Sequence, residues 1–315
     1  MTVLEQEGVE VEKFGLLVPT YNAGKLWRRW LDALANQTCK PDGCLVIDSG
    51  SADDTVEWAR QSGLEVHVIS ARQFNHGGTR QLGVNMLADA EIVVFLTQDA
   101  ILADEHSLAN LVGVFRDKSI GAAYGRQLPH AESKALGAHA RIYNYPSQSQ
   151  VKTLADVPRL GIKTPFISNS FAAYRREALE AAGGFPGDVI LSEDMVVAAR
   201  MLMRGWHVAY CAEAKVYHSH DYSMLEEFRR YFDIGTLHAR EKWLLETFGN
   251  AEGSGMGFAL SELSYLVKNA PWLILFALMR TGVKYFGYRL GRKEAFLPAA
   301  VKPFLSMNRG YWRKG

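Results

Sequence analysis

The sequence predicts an α/β protein: a mainly parallel β-sheet with helices on both faces, followed by a helical C-terminal region. Three observations carry this. Short apolar runs alternate with helical patterns over the first hundred residues. The runs end in loops rich in Pro, Ser, Gly and Asp. The last fifty residues change character and become aromatic and basic. Strand–helix alternation implies crossover connections, which make neighbouring strands parallel and cover both faces of the sheet.

Residues 14–18 are an apolar run stopped by Pro19, which reads as a buried strand. Over 24–37, Leu26, Trp27, Trp30, Leu31 and Leu34 recur at helical spacing. The pair repeats as strand 45–47 with helix 53–61. It repeats again as strand 65–69 with helix 78–88, Leu82 and Leu87 turned inward. A fourth strand covers 92–96. A further strand is expected at 121–124, and 125–166 reads as loop with some helix. A short helix at 175–182 stops at Gly183-Gly184. Ser192 starts another, with Glu193 and Asp194 in its first turn and Gly205 at its end. Strands are expected at 206–210 and 215–218, then a long charged, aromatic helical segment at 223–248.

The 315 residues, 48% of them hydrophobic, suffice for one large domain and an appendage. We place the domain at 12–220 and the helical region at 221–315. A net charge of +1 gives no argument for a nucleic-acid partner. From Glu262 to the end, ten Lys and Arg stand against two Glu. That is +8 on the tail and therefore −7 on the rest. Residues 270–279 are apolar but too short to span a bilayer. Trp272, Phe276, Tyr285, Phe286 and Tyr288 surround them, with Lys268, Arg280, Lys284, Arg289, Arg292 and Lys293. That combination fits a helix lying in the interface of an anionic membrane. The alternative is an ordinary helix packed on the body or at a homo-oligomer contact. Cys39, Cys44 and Cys211 build no disulfide framework, and residues 1–13 lack the pattern of a signal peptide. The expected location is cytoplasmic, peripherally on the inner face of the cell membrane.

Candidate functional residues cluster at the carboxyl ends of the first four strands, where ligands bind in such sheets. Tyr21, after Pro19-Thr20, offers a flat face to a base. Asp48, opening Asp48-Ser49-Gly50-Ser51-Ala52-Asp53, could accept the imide N–H of a pyrimidine. Arg80, behind Gly77-Gly78 in a first helical turn, could neutralise a phosphate. Asp99 closes the buried run 92–96 and is placed to hold a divalent ion, Mg²⁺ or Mn²⁺. His218 or His220 could add a ligand from the far side. Glu193 and Asp194 are the candidates for a general base. Each of these has an ordinary structural alternative, a capped turn or a surface charge; the coincidence of all of them on one edge is what argues for a nucleotide site.

Together these residues resemble the family-2 glycosyltransferases of the GT-A, Rossmann-like nucleotide-binding fold. The resemblance is carried by Pro19-Thr20-Tyr21-Asn22, by Asp48-Ser49-Gly50-Ser51-Ala52-Asp53-Asp54-Thr55, by Leu96-Thr97-Gln98-Asp99 at the place of an Asp-x-Asp motif, and by Ser192-Glu193-Asp194. Thr97 departs from that motif's first aspartate and puts metal dependence in question. A narrower resemblance is to bacterial rhamnosyltransferases of surface-polysaccharide assembly. It is carried by Phe74-Asn75-His76-Gly77-Gly78-Thr79-Arg80, Tyr124-Gly125-Arg126-Gln127-Leu128-Pro129 and Phe166-Ile167-Ser168-Asn169-Ser170. It implies inverting transfer of L-rhamnose from dTDP-L-rhamnose to a lipid-linked or lipopolysaccharide glycan. By this resemblance Pro19, Tyr21, Asp48, Arg80 and Gln98 bind the nucleotide, and Asp99 and His218 hold the metal. Asp194, with Glu193, supplies the base, while Arg126, Gln127 and Asn169 line the sugar or acceptor pocket. Competing readings are a family-2 enzyme using another UDP- or dTDP-sugar, a nucleotidyltransferase, and a non-catalytic sugar-nucleotide scaffold.

Overall fold

The computed structural model describes residues 12–250 and 252–313. Most of the segment read for a signal peptide lies outside the described residues, as do Lys314 and Gly315. Strand β1 (Phe14–Thr20) is followed by α1 (Leu26–Ala35), β2 (Gly43–Asp48), α2 (Thr55–Gln61), β3 (Glu65–Val68), α3 (His76–Met86) and β4 (Ile92–Leu96). The first four strands are parallel, in the order β3-β2-β1-β4. Alternate residues of each strand face opposite sides. Leu16, Val18, Val46, Val94 and Leu96 meet Trp27 and Trp30 of α1 on one face. Leu17, Leu45, Ile47, Val93 and Phe95 meet Val84 of α3 on the other. The expectation that Leu82 turns inward does not hold. Gly83 and Val84 are buried in its place, and Leu82 is exposed.

The sheet becomes mixed beyond β4. After β5 (Ile101–Leu102), α4 (Ser107–Gly113) and β6 (Ile120–Leu128), the segment expected as loop holds α5 (Ala135–Asn144), β7 (Gln150–Lys152) and α6 (Val157–Leu160). Strand β8 (Phe171–Arg175) was not legible because it runs straight into α7 (Arg176–Ala181). It lies antiparallel to both β4 and β6. Helix α8 (Glu193–Met203) leads to β9 (His207–Tyr217), one strand where two were expected. Strand β9 runs parallel to β6 and pairs antiparallel with β5 and β7.

These directions gather the motifs. Strands β4, β6 and β9 all point the same way, and β8 points the opposite way. The carboxyl ends of β1, β2, β4, β6 and β9 therefore share an edge with the amino end of β8. Tyr21, Asp48, Asp99, Gln127, Asn169 and His218 all lie at that edge.

The rest is helical: α9 (Met224–Arg240), α10 (Lys242–Phe248), α11 (Glu252–Asn269), α12 (Ile274–Gly291) and α13 (Lys302–Leu305). Helices α9 and α12 approach closely through Gly235, Gly287 and Gly291; a Cβ on Gly291 would stand 2.0 Å from the Phe232 carbonyl oxygen. Two of the cations expected at a membrane surface are internal. Arg280 pairs with Glu227 and, at 3.4 Å, with Glu262, and Lys284 lies 3.7 Å from Glu227. Among the described residues no helix is long and apolar enough to cross a membrane. The chain end returns to the body. Asp233 accepts hydrogen bonds from the Met307 and Asn308 amides and from the Asn308 side chain, each 3.0 Å. Tyr311 and Trp312 pack against the main core.

Candidate functional site

The loops after β1 and β2 are stitched together. Asn22, with a positive φ of 46°, donates its amide to Ser51 Oγ and accepts the Ala52 amide through Oδ1. Gln98 clasps the Tyr21 backbone from the β4 loop, accepting its N–H at 2.7 Å and donating to its carbonyl at 3.1 Å. Gln98 is therefore committed to holding the Tyr21 loop, and Tyr21 itself is 53% exposed at the edge. Asp48 differs from its expected role as a base acceptor. Its Oδ1 accepts the amides of Gly50 and Ser51, and its Oδ2 accepts the hydroxyls of Thr20 and Ser51. It is wholly buried and shapes the loop on which a base would rest. Gly50 takes φ of 87° to make that turn, a conformation that a side chain would strain. Pro19 sits opposite Ile47 in the β1–β2 register, within β1 and one residue before its end at Thr20.

A second cluster forms because β5 pairs with the end of β9. Ile101 lies opposite Tyr217, which sets Asp99 beside His218 and His220. His218 Nε2 is 3.5 Å from Asp99 Oδ1, and His220 Nε2 is 3.7 Å from Asp99 Oδ2. The three ligand atoms lie within 4.8 Å of one another. Burial holds the His218 imidazole below its ordinary pKa, and burial with the neighbouring His218 pushes His220 down to about 4. Both rings are thus neutral near pH 7 and keep lone pairs. Burial works against the Asp99 charge, but the polar side chains around it outweigh that and hold the carboxyl well below the usual range. Two neutral imidazoles and an ionised carboxylate facing one point fit a divalent ion, with positions left for substrate or water. His220 completes the set; its separation from His218 by one residue was the available signal.

The third cluster is at the start of α8. Ser192 takes the left-handed conformation, φ 56°, and turns the chain so that two consecutive carboxylates enter the first helical turn. Glu193 pairs with Arg80 at 2.9 Å and accepts from Asn169 Nδ2 at 3.2 Å. Asp194 accepts the amides of Asn169 and Met195, at 3.1 and 2.8 Å. Tyr174 donates its hydroxyl to Asn169 Oδ1. Two expectations are corrected here. Arg80 is buried against Glu193 rather than held open for a phosphate, and it also donates to the His76 carbonyl. Asn169 is 3% exposed, with its polar groups turned to Glu193, Asp194 and Tyr174 rather than to a sugar. Burial, reinforced by the Glu193 charge, raises Asp194 to about 6, while Arg80 keeps Glu193 below the usual range despite its burial. One carboxylate of the pair is consumed by structure, and the other is poised to take a proton near neutrality. His76 also joins this cluster, with Asn308 of the returning chain end near enough to act on its imidazole. Nothing in its sequence neighbourhood pointed to a partner more than 200 residues away.

The remaining two expected pocket residues divide. Arg126 is half-buried and donates Nε to the Tyr145 carbonyl. Gln127 is 1% exposed and does not line a pocket; its side chain meets Arg141, His218 and Ser168.

Comparison with known proteins identifies the family. Residues 16–183 match the model of glycosyl transferase family 2. The chain is 51% identical over 301 residues to the O-antigen chain rhamnosyltransferase RfbN of Salmonella typhimurium, covering 95% of this chain and 96% of that one. It is 47% identical to the O-antigen chain rhamnosyltransferase WbaN of Salmonella anatum, covering 95% of each. The fold is similar to that of a mannosyltransferase from Pyrobaculum calidifontis solved with GDP-Man and Mn²⁺: TM-score 0.58, 21% identity, covering 96% of this chain and 89% of that one. The chain belongs to glycosyl transferase family 2, and is a glycosyltransferase of the GT-A fold.

Proposed function

We propose that this protein is an inverting rhamnosyltransferase of O-antigen chain assembly, moving L-rhamnose from dTDP-L-rhamnose to a lipid-linked or lipopolysaccharide glycan. The near full-length likeness to two O-antigen chain rhamnosyltransferases carries the choice of sugar. The geometry supports the chemistry. Tyr21 offers its ring to the thymine at the sheet edge. A divalent ion held by Asp99, His218 and His220 would offset the charge on the donor diphosphate. Asp194 takes the proton of the acceptor hydroxyl as its oxygen bonds to the anomeric carbon. The bond from that carbon to the nucleotide phosphate breaks on the opposite face, so the configuration inverts. The two imidazoles favour Mn²⁺ over Mg²⁺, which prefers oxygen ligands and a retained water shell.

The same reading places the protein on an anionic membrane surface. Helix α12 is inside-out for a protein in water. The stripe that α12 buries is Ala277, Arg280, Lys284, Gly287 and Gly291, while Leu275, Leu278, Met279, Tyr285 and Phe286 face outward beside exposed Trp272. Lys268, Arg292 and Lys293 are exposed nearby. A headgroup–acyl boundary suits that surface.

The deciding experiment is nucleotide release from a panel of dTDP- and UDP-sugars, with Mn²⁺, Mg²⁺ or chelator, in the presence of a rhamnose-accepting lipid-linked glycan. Fastest release from dTDP-L-rhamnose with Mn²⁺ is expected. Preference for a UDP-hexose refutes the donor, and a product retaining the donor's anomeric configuration refutes the single displacement.

A further inference from the structure

We infer that Gln127 is a positioning residue: with Arg141 it fixes the His218 ring as the Nδ1-protonated tautomer and so presents the Nε2 lone pair to the cation site. The inference rests on the reading that Asp99, His218 and His220 hold a divalent ion.

The argument is one of donors and acceptors. Arg141 Nη1 stands 2.6 Å from Gln127 Oε1, and a guanidinium nitrogen only donates. The atom facing it must therefore be the amide oxygen, because the amide nitrogen there would set two donors against each other. His218 Nδ1 stands 2.9 Å from that same oxygen. An amide oxygen cannot donate, so Nδ1 carries the proton. That leaves Nε2, the atom that faces Asp99, as the ring nitrogen that a cation would use. The far end of the amide is tied as well, since Gln127 Nε2 donates to Ser168 Oγ at 3.0 Å. Both ends of the side chain are held in a buried site, so it cannot flip without leaving polar groups unpaired. A partner on the second ring nitrogen of a metal-binding histidine sets ring orientation and basicity, and its loss commonly weakens metal binding by about 10- to 100-fold.

The relay also has a structural reason to exist. Gln127 lies on β6 opposite Val216 of β9, two residues before His218. Arg141 comes from α5, the helix that follows β6 and packs beside it. The relay therefore joins two elements that the sheet register alone does not hold together at the site.

Two measurements test this on the full-length chain. The first reads the ¹⁵N shifts and long-range couplings of His218 in metal-free protein with labelled histidine. The wild type is expected to show a fully protonated Nδ1. Gln127→Met and Arg141→Met are each expected to give a mixture of tautomers. The second measures Mn²⁺ affinity with dTDP present, from the paramagnetic resonance of free Mn²⁺. Gln127→Met is expected to bind about 10- to 100-fold more weakly, whereas Gln127→Glu, which keeps an acceptor, stays near the wild type. A wild-type spectrum with the proton on Nε2 overturns the inference. So does a Gln127→Met protein whose tautomer and affinity are unchanged. Wild-type protein that binds no Mn²⁺ refutes the cation site itself. In that case the metal-free spectrum still decides the orienting role of Gln127.

Discussion

Asp194 and Glu193 are adjacent in the chain and shifted in opposite directions, and the difference is one guanidinium. Arg80 contacts Glu193 directly, so Glu193 stays ionised, and its charge then helps raise Asp194 to about 6. A base works in its ionised form. Turnover should therefore be full above pH 6 and fall as the pH drops through that value, seen as the acid limb of kcat/KM. Asp194→Asn should lower kcat by about 10²–10⁴-fold while dTDP-L-rhamnose still binds in calorimetry. Glu193→Gln removes a like charge and leaves Arg80 facing Asp194, so its acid limb should move to lower pH. It also breaks a buried ion pair, at a cost of about 3–5 kcal/mol in stability by chemical denaturation. At this scale the sequence was legible for position: Asp99 follows the end of β4 and Asp194 lies in the first turn of α8, as their patterns predict. It was not legible where a role depends on the partner across space. Asp48, Arg80, Asn169 and Gln127 are all polar residues at the correct edge, but each is committed to a neighbour that its own segment does not reveal.

Elements were read best where hydrophobic spacing was unbroken, and so β1 to β4 with their helices emerge almost as expected. The difficulty begins with β8, five residues that run without a turn signal into α7. It continues in β9, where Glu213 and Lys215 break the apolar run without ending the strand. The C-terminal helices invert the usual rule, because α12 buries Arg280 and Lys284 and exposes leucines and aromatics. Sequence periodicity shows such a stripe but not which side of it faces the protein. What makes the inversion workable is the close α9–α12 contact, which lets short ion pairs form between helices at Gly235, Gly287 and Gly291. Two substitutions in one helix separate this packing from helix propensity. Gly291→Ala puts a methyl group against the Phe232 backbone, and should destabilise by about 1–3 kcal/mol through forced separation of the helices. Gly282→Ala, on the same helix with nothing within 4 Å of the added carbon, should stabilise by about 0.5–1 kcal/mol. Urea midpoints of both variants check the pair, and equal shifts would remove the α9–α12 contact from the account.

On the scale of the whole molecule, the C-terminal region both faces outward and fastens inward. Asp233 holds the chain at Met307 and Asn308, and Asn308 reaches His76 beside the Arg80–Glu193 pair. Removing the last fifty residues would therefore expose the inner face of α9 and strip a neighbour from the Arg80–Glu193 cluster, so truncation cannot isolate membrane binding. Point changes on the outward face can. Trp272 is 77% exposed and Phe286 63%; neither is among the buried residues of α12, and Phe286 meets only the rim of α9 at Phe228, ring centroids 6.1 Å apart. Transfer of each ring into an acyl boundary is worth about 1.5–3 kcal/mol. Trp272→Ser with Phe286→Ser should accordingly weaken sedimentation with phosphatidylglycerol vesicles by at least about 100-fold, and leave turnover on a water-soluble acceptor unchanged. Exposed Lys268, Arg292 and Lys293 add an electrostatic part, so wild-type binding should fall with salt and be weaker on phosphatidylcholine vesicles. Undiminished vesicle binding by the double variant would assign the outward face to a protein contact instead, and a concentration-dependent mass in ultracentrifugation would then identify a second copy of the chain as what covers it.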